Sequence, residues 1–332
     1  MTRFVVTIDT EADNLWARQQ GPLGFENIRA LARFQELCDR YGIVPTYLVT
    51  WQVASDAGSR RVLQGLLGRG NCEIGCHLHA WSTPPYEAVT ENDDVHHPYL
   101  YEYPESVQEA KLENLTRLLT KTFGVRPRTY RAGRWGADAF TVRLLEQNGY
   151  LVDTSVTPFT TWAYSPGVPG GGGGPSFVWA PTDVYRPSYE DIAVPGDSKL
   201  AEVPVTIGFA REAGPRLQHV YKALTHKRTL PRRVMRRALR LLGLARVVWL
   251  HPAMASGTEM TDLCGRRVRA GAGSLNMMFH SSELLAGYSP LVRDAAQEAA
   301  AWRAMEKVFE FVAREPRVEP APLSAFAPPD AA

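Results

Sequence analysis

Cysteine is scarce in this chain, with four in 332 residues: Cys38, Cys72, Cys76 and Cys264. Only Cys72 and Cys76 approach a metal-ligand spacing. One C-x-x-x-C without a second pair spells out neither a disulfide framework nor a thiolate zinc site. The four read as small buried thiols in a reducing compartment. Long apolar runs are missing too, and no stretch of about 18 apolar residues offers a helix that could span a bilayer. Net charge is nearly absent, with 37 Lys and Arg against 35 Asp and Glu. That balance is too even for a protein that wraps nucleic acid along its surface. No apolar leader with a small-residue cleavage site precedes the run Phe4-Val5-Val6-Thr7-Ile8, which predicts a cytoplasmic protein. Nucleotide cradles are also lacking. No G-x-G-x-x-G follows the first apolar run, no G-x-x-x-x-G-K-S/T occurs, and the glycines at 170–174 lie between prolines.

What the chain does have is 45% hydrophobic residues, 27 Gly and 24 Pro. A chain of this length can bury a core without disulfide or metal, and its Gly and Pro predict many ordered loops. Apolar, β-rich runs at 4–8, 44–50, 73–78, 129–132, 150–154, 202–206, 246–250 and 275–279 read as strands. Helical periodicity falls between them at 25–41, 60–67, 105–123 and 140–147, and again at 291–312. Such alternation is the signature of parallel βα units and predicts an α/β fold of the (β/α) barrel type. The domain expected is a single barrel over 1–315, with an insertion at about 159–200. A flexible tail is expected over 316–332, where Pro and Ala dominate.

In a parallel barrel the reactive groups lie at the C-terminal ends of the strands. Asp9 and Glu11 end the first run, and His77 and His79 end the third. Residues two apart on an extended backbone project to one side, so two carboxylates and two imidazoles can converge at one rim. Imidazole with carboxylate oxygen suits Zn²⁺ or another divalent transition metal, with a position left for water. Taken singly, an Asp at a strand end is as readily a cap or turn former, and a lone His a satisfied core residue. It is the matching pairs that mark a site.

Several stretches carry a family resemblance: Val6-Thr7-Ile8-Asp9-Thr10-Glu11, Pro45-Thr46-Tyr47, Glu73-Ile74-Gly75-Cys76-His77, Tyr130-Arg131-Ala132-Gly133-Arg134-Trp135, Asp153-Thr154-Ser155-Val156 and Phe279-His280-Ser281-Ser282-Glu283. In that order they resemble the NodB-type polysaccharide deacetylases, carbohydrate esterase family four, and especially their WalW-like lipopolysaccharide-biosynthesis branch. The resemblance implies a distorted (β/α)7 barrel, the NodB homology domain, that removes an acetyl group from a sugar with a bound divalent metal. That metal would be Zn²⁺, with Co²⁺, Ni²⁺ or Mn²⁺ as alternatives. It further implies Asp9 as general base, Arg131 as the arginine holding that base, and His280 as the acid that protonates the leaving amine. The metal ligands it implies are Glu11, His77 and His79. Two of these are displaced from the family pattern, since Thr10 and Trp81 stand where a carboxylate and a histidine are usual. Trp81, Trp135 and Asp153 fall beside the substrate, although Asp153 reads equally as a strand-end cap. The implied partner is an acetylated amino-sugar glycan or its lipid- or nucleotide-linked precursor.

Two other readings of the function stay open beside a hydrolytic deacetylase. One is a degenerate member of the fold that binds glycan without turnover. The other is a metal-independent C–N hydrolase of the allantoinase-like branch. The one charge cluster, at 227–246, repeats arginine every four residues opposite Val234, Ala238 and Leu241, which predicts a basic amphipathic helix. It is either a contact with anionic lipid at the inner membrane face or an exposed barrel helix with an Arg-rich outer surface.

Overall fold

The computed structural model of the chain describes residues 1–13, 15, 23–227, 229–241 and 243–329. Strand β1 (Thr2–Thr10) is buried on both faces almost throughout, as its run of Phe, Val and Ile requires of a central parallel strand. Helix α1 (Glu26–Arg40) turns Ile28, Leu31, Phe34 and Cys38 inward at helical spacing. The Asp13 carboxylate accepts from the backbone N–H groups of Glu26 at 2.8 Å and Asn27 at 2.9 Å, satisfying donors that the first turn leaves free. Then follow β2 (Pro45–Val49), α2 (Trp51–Ser55), α3 (Ala57–Leu67), β3 (Glu73–Leu78), the short α4 (Asp93–His96), α5 (Glu105–Phe123) and β4 (Thr129–Ala132). Helix α6 (Ala139–Gln147) leads to β5 (Val152–Asp153), and a long irregular stretch to β6 (Ala201–Glu202). Beyond it lie β7 (Ile207–Phe209), α7 (Pro215–His226), α8 (Leu230–Leu241), β8 (Val247–Trp249), α9 (Gly257–Arg269), β9 (Ser274–His280), α10 (Ala295–Arg314) and β10 (Val318–Pro320).

Seven strands run parallel side by side in the order β9, β1, β2, β3, β4, β5, β6. Between β6 and β9 the wall is completed by single hydrogen bonds: Thr206 N donates to Asn276 O at 3.1 Å, and Asn276 N to Thr206 Oγ1 at 2.8 Å. This is the distorted (β/α)7 barrel that the sequence predicts. No helix among the described residues is long and apolar enough to cross a membrane.

Three expectations need correcting. The strand expected at 202–206 ends at Glu202, because Pro204 has no N–H to give the ladder. The next strand, β7, pairs antiparallel with β8 in a separate ribbon, so β8 does not extend the barrel. The last long helix starts at Ala295 rather than 291, where the Asp294 carboxylate accepts from Gln297 N at 2.9 Å and caps it. The tail is not frayed over its described residues. Strand β10 pairs with β1 at Thr2–Phe4, while Ala321 and Leu323 pack with Val5, Val152 and Val203. Because β9 lines one edge of β1, β10 and β2 share the other edge end to end.

Candidate active site

The C-terminal rim of the barrel gathers six charged or ionisable groups from four strands. Asp9 lies near the end of β1 and Glu11 just past it; His77 lies near the end of β3 and His79 just past it. Arg131 comes from β4, and His280 is the last residue of β9. All six are buried. Glu11 Oε1 lies 2.8 Å from His77 Nε2 and 2.7 Å from His79 Nε2. His77 Nδ1 lies 2.9 Å from the Arg131 carbonyl oxygen. A carbonyl only accepts, so Nδ1 carries a proton, and Nε2 donates to the Glu11 carboxylate; the same Nε2, once deprotonated, is the atom that would face an ion. Two imidazole nitrogens converging on one anionic oxygen in this way form a donor set suited to a divalent cation. His79 has room only because residue 133 is glycine: a Cβ there would stand 2.5 Å from His79 Nδ1.

Arg131 organises the neighbouring Asp9 carboxylate. Its guanidinium donates to Asp9 Oδ1 at 2.6 Å, Thr7 Oγ1 at 2.6 Å and the Thr154 carbonyl at 3.0 Å. Removing one partner of such a fully buried pair costs about 3–5 kcal/mol, because the other charge is stranded. Asp9 Oδ2 remains turned toward His77 Nε2 at 3.7 Å and His280 Nε2 at 3.6 Å. Burial would raise the Asp9 carboxyl, but Arg131, His77 and His280 outweigh it and hold it below the usual carboxylate value. Burial acts likewise on Glu11, and the charge of His79 with hydrogen bonds from both imidazoles brings it well below. His280 is moved the other way. Burial would lower it, yet the hydrogen bond and charge of Glu283 push it up to about 8.

Glu283 and His251 extend this row, and neither was among the sequence-derived site residues. Glu283 Oε1 accepts from His280 Nδ1 at 3.0 Å, and its Oε2 lies 3.4 Å from His251 Nε2. His251 is the first residue after Leu250, as Glu11 and His79 are the first residues after β1 and β3, and that parallel is the signal that would have found it.

Asp9, Glu11, His77, His79, His251 and His280 face a cavity of about 420 Å³. Trp135, Trp162 and Trp249 form one wall, with the Trp135 and Trp162 rings stacked nearly parallel, centroids 6.2 Å apart. Trp135 takes φ +62°, a left-handed conformation costing a non-glycine residue about 1–3 kcal/mol, which aims its ring into the wall. Trp81 stands on the opposite side, 4.4 Å from the His79 ring and 5.0 Å from His97. Trp162 comes from the 159–200 insertion and Trp249 from β8. Asp153 is the exception among the sequence-derived residues. It does not line the cavity; it is fully buried between β5 and β6, where its Oδ1 accepts from Ser155 Oγ at 2.7 Å and it shares a hydrogen bond with Glu202. In this position its hydrogen bonds run to neighbours within the wall.

No family model matches the sequence, and no curated protein does either. Solved structures do resemble the fold. A candidate polysaccharide deacetylase from Mycobacterium smegmatis superposes with a TM-score of 0.53 at 16% identity, over 98% of this chain and 88% of the other. A candidate glycoside hydrolase/deacetylase from Parabacteroides distasonis gives 0.60 at 13% identity, over 98% and 70%. The Puue allantoinase gives 0.50 at 14%, over 97% and 86%. At these identities the likeness is one of fold.

Proposed function

We propose that the protein is a metal-dependent hydrolase that removes an acetyl group from an amino sugar. The observation that carries this reading is the convergence of Glu11, His77 and His79 within 2.8 Å contacts beside the Asp9–Arg131 pair. Glu11, His77 and His79 would hold the ion. When bound, a divalent cation supplies Lewis-acid polarisation of the acetyl carbonyl and a more acidic water. Asp9 takes the proton from the attacking water at Oδ2, since Oδ1 is held by Arg131. The lowered value of Asp9 keeps it an anion able to do so. His280 has Nδ1 engaged by Glu283, so it gives its proton from Nε2 to the departing nitrogen. Water adds to the carbonyl carbon, the C–N bond breaks, and acetate and a free amine leave.

The tryptophan wall supports a sugar as substrate, because apolar ring faces stack on the apolar face of a pyranose. With the sequence resemblance it favours a surface-polysaccharide or lipopolysaccharide precursor, lipid- or nucleotide-linked. The test is metal analysis of the purified protein combined with acetate release from N-acetylated amino-sugar substrates, before and after chelation. Turnover that stops on chelation and returns with Zn²⁺ is expected. Turnover that survives complete removal of the ion would overturn the metal role in favour of metal-independent C–N hydrolysis. Neither metal nor turnover would leave a glycan binder.

A further inference from the structure

The α7–α8 hairpin is inserted between the two strands of the β7–β8 ribbon, and α8 buries none of its described residues. Its amphipathicity is turned outward. Leu239 packs toward Phe159, Phe209 and Tyr221, and Arg232 Nη1 donates to the Ala223 carbonyl at 3.2 Å, so this side of α8 meets the protein. Leu230, Val234 and Leu241 project the opposite way, 72%, 61% and 73% exposed. They occupy one stripe, and the exposed Arg233, Arg237 and Arg240 run along one side of it. A surface helix ordinarily buries its apolar stripe; here an apolar stripe lies on the outer surface beside a row of arginines.

We infer that this hairpin docks on an anionic membrane surface. Charge complementarity selects that occupant: ten Lys and Arg and no Asp or Glu lie between Pro215 and Arg246. An apolar stripe bordered by arginines is suited to the headgroup boundary, where the aliphatic chains enter the acyl region and the guanidinium groups remain among phosphates. The hairpin also stands over the cavity rim. Its Leu217, Tyr221 and Leu239 pack in the same cluster as Trp135, Trp249 and Met278, which line the cavity. Docking would hold the cavity close to a sugar carried on a lipid. That last consequence rests on the proposed deacetylation; the docking itself does not.

The test is flotation of the full chain with phosphatidylcholine vesicles, with and without phosphatidylglycerol. Two variants accompany it: R233E/R237E/R240E, and V234D/L241D. The wild type is expected to float only with anionic vesicles and to lose binding as salt rises. Each variant should bind at least roughly 100-fold more weakly with an unchanged melting temperature, at about fivefold per basic residue near the surface. Failure of the wild type to float, or equal flotation of either variant, would overturn the proposal. So would light scattering showing a dimer that V234D/L241D dissociates, because the stripe would then belong to a second copy. None of the altered residues is in the acetate-releasing site, so activity on a soluble acetylated sugar reads that proposal separately.

Discussion

Asp9 and Glu11 at the rim can be set beside Asp153 and Glu202 in the β5–β6 wall. All four carboxyls are buried, and burial pushes each of them up. The rim pair nevertheless ends below its ordinary value and the wall pair above it. Cations make the difference. Arg131 directs its donors to Asp9, Thr7 and Thr154, and His77, His79 and His280 complete a positive surround for the rim. Asp153 and Glu202 have mainly each other, with Ser155 and backbone N–H groups, and a proton shared between them replaces the missing cation. One pair is thereby held as anions and the other as a link that shares a proton.

The largest effect that would break this contrast is at Asp9. Asp9→Asn keeps the shape of the side chain and removes the anion, so acetate release should fall about 10²–10⁴-fold while bound metal persists. Activity within a factor of about ten of wild type would show that the rim charge is not used. A smaller effect is expected from Glu283→Gln. His280 must be protonated to act, and Glu283 holds it at about 8. Without that charge the value falls, and the alkaline limb of the pH–rate profile should move down by about one unit. An unmoved limb would separate His280 from the acid role. The smallest effect is at the wall. Both folded values there lie above the unfolded ones, so their stabilisation is whole below the unfolded carboxylate range and is lost as pH rises through the folded values. Glu202→Gln copies the protonated form: it can accept from Val156 N and donate to Asp153. Its melting temperature should gain on the wild type as pH rises from the unfolded carboxylate range through the folded values, each kcal/mol being worth about 2–4 °C. Acetate release should be unchanged. A constant difference across that range would mean that the pair carries no shared proton.

How much of this was legible beforehand depended on how local the determinant is. Helix α5, strand β3 and strand β4 fall where periodicity and β-rich runs predict them, because each is set by its own pattern of buried side chains. The i, i+2 pairs at Asp9 and His77 could be read for the same reason. Asp153 could not be separated from them, since all end strands; only the pairing with Glu202 across the sheet shows that it faces away from the cavity. Trp162 and Trp249 reach the site from an insertion and from a ribbon outside the barrel, placements that no local pattern carries. The tail misled for a related reason. Its Pro and Ala read as disorder, while its order comes from the vacant half-edge of β1.

That arrangement of β1 has a consequence during synthesis. Arg3 pairs with Ser274, and Thr2 with Val318. During synthesis β1 can meet β2 early, but its other edge must wait for residues more than 270 positions later. At elongation rates of about 5–20 residues per second, the wait is on the order of 15–50 s. For that interval Phe4, Val6 and Ile8 form an apolar strand with one open edge, a nascent state suited to capture by a chaperone or by another chain. Yield in the cell should therefore depend on how quickly, and in what company, β9 and the residues after it arrive.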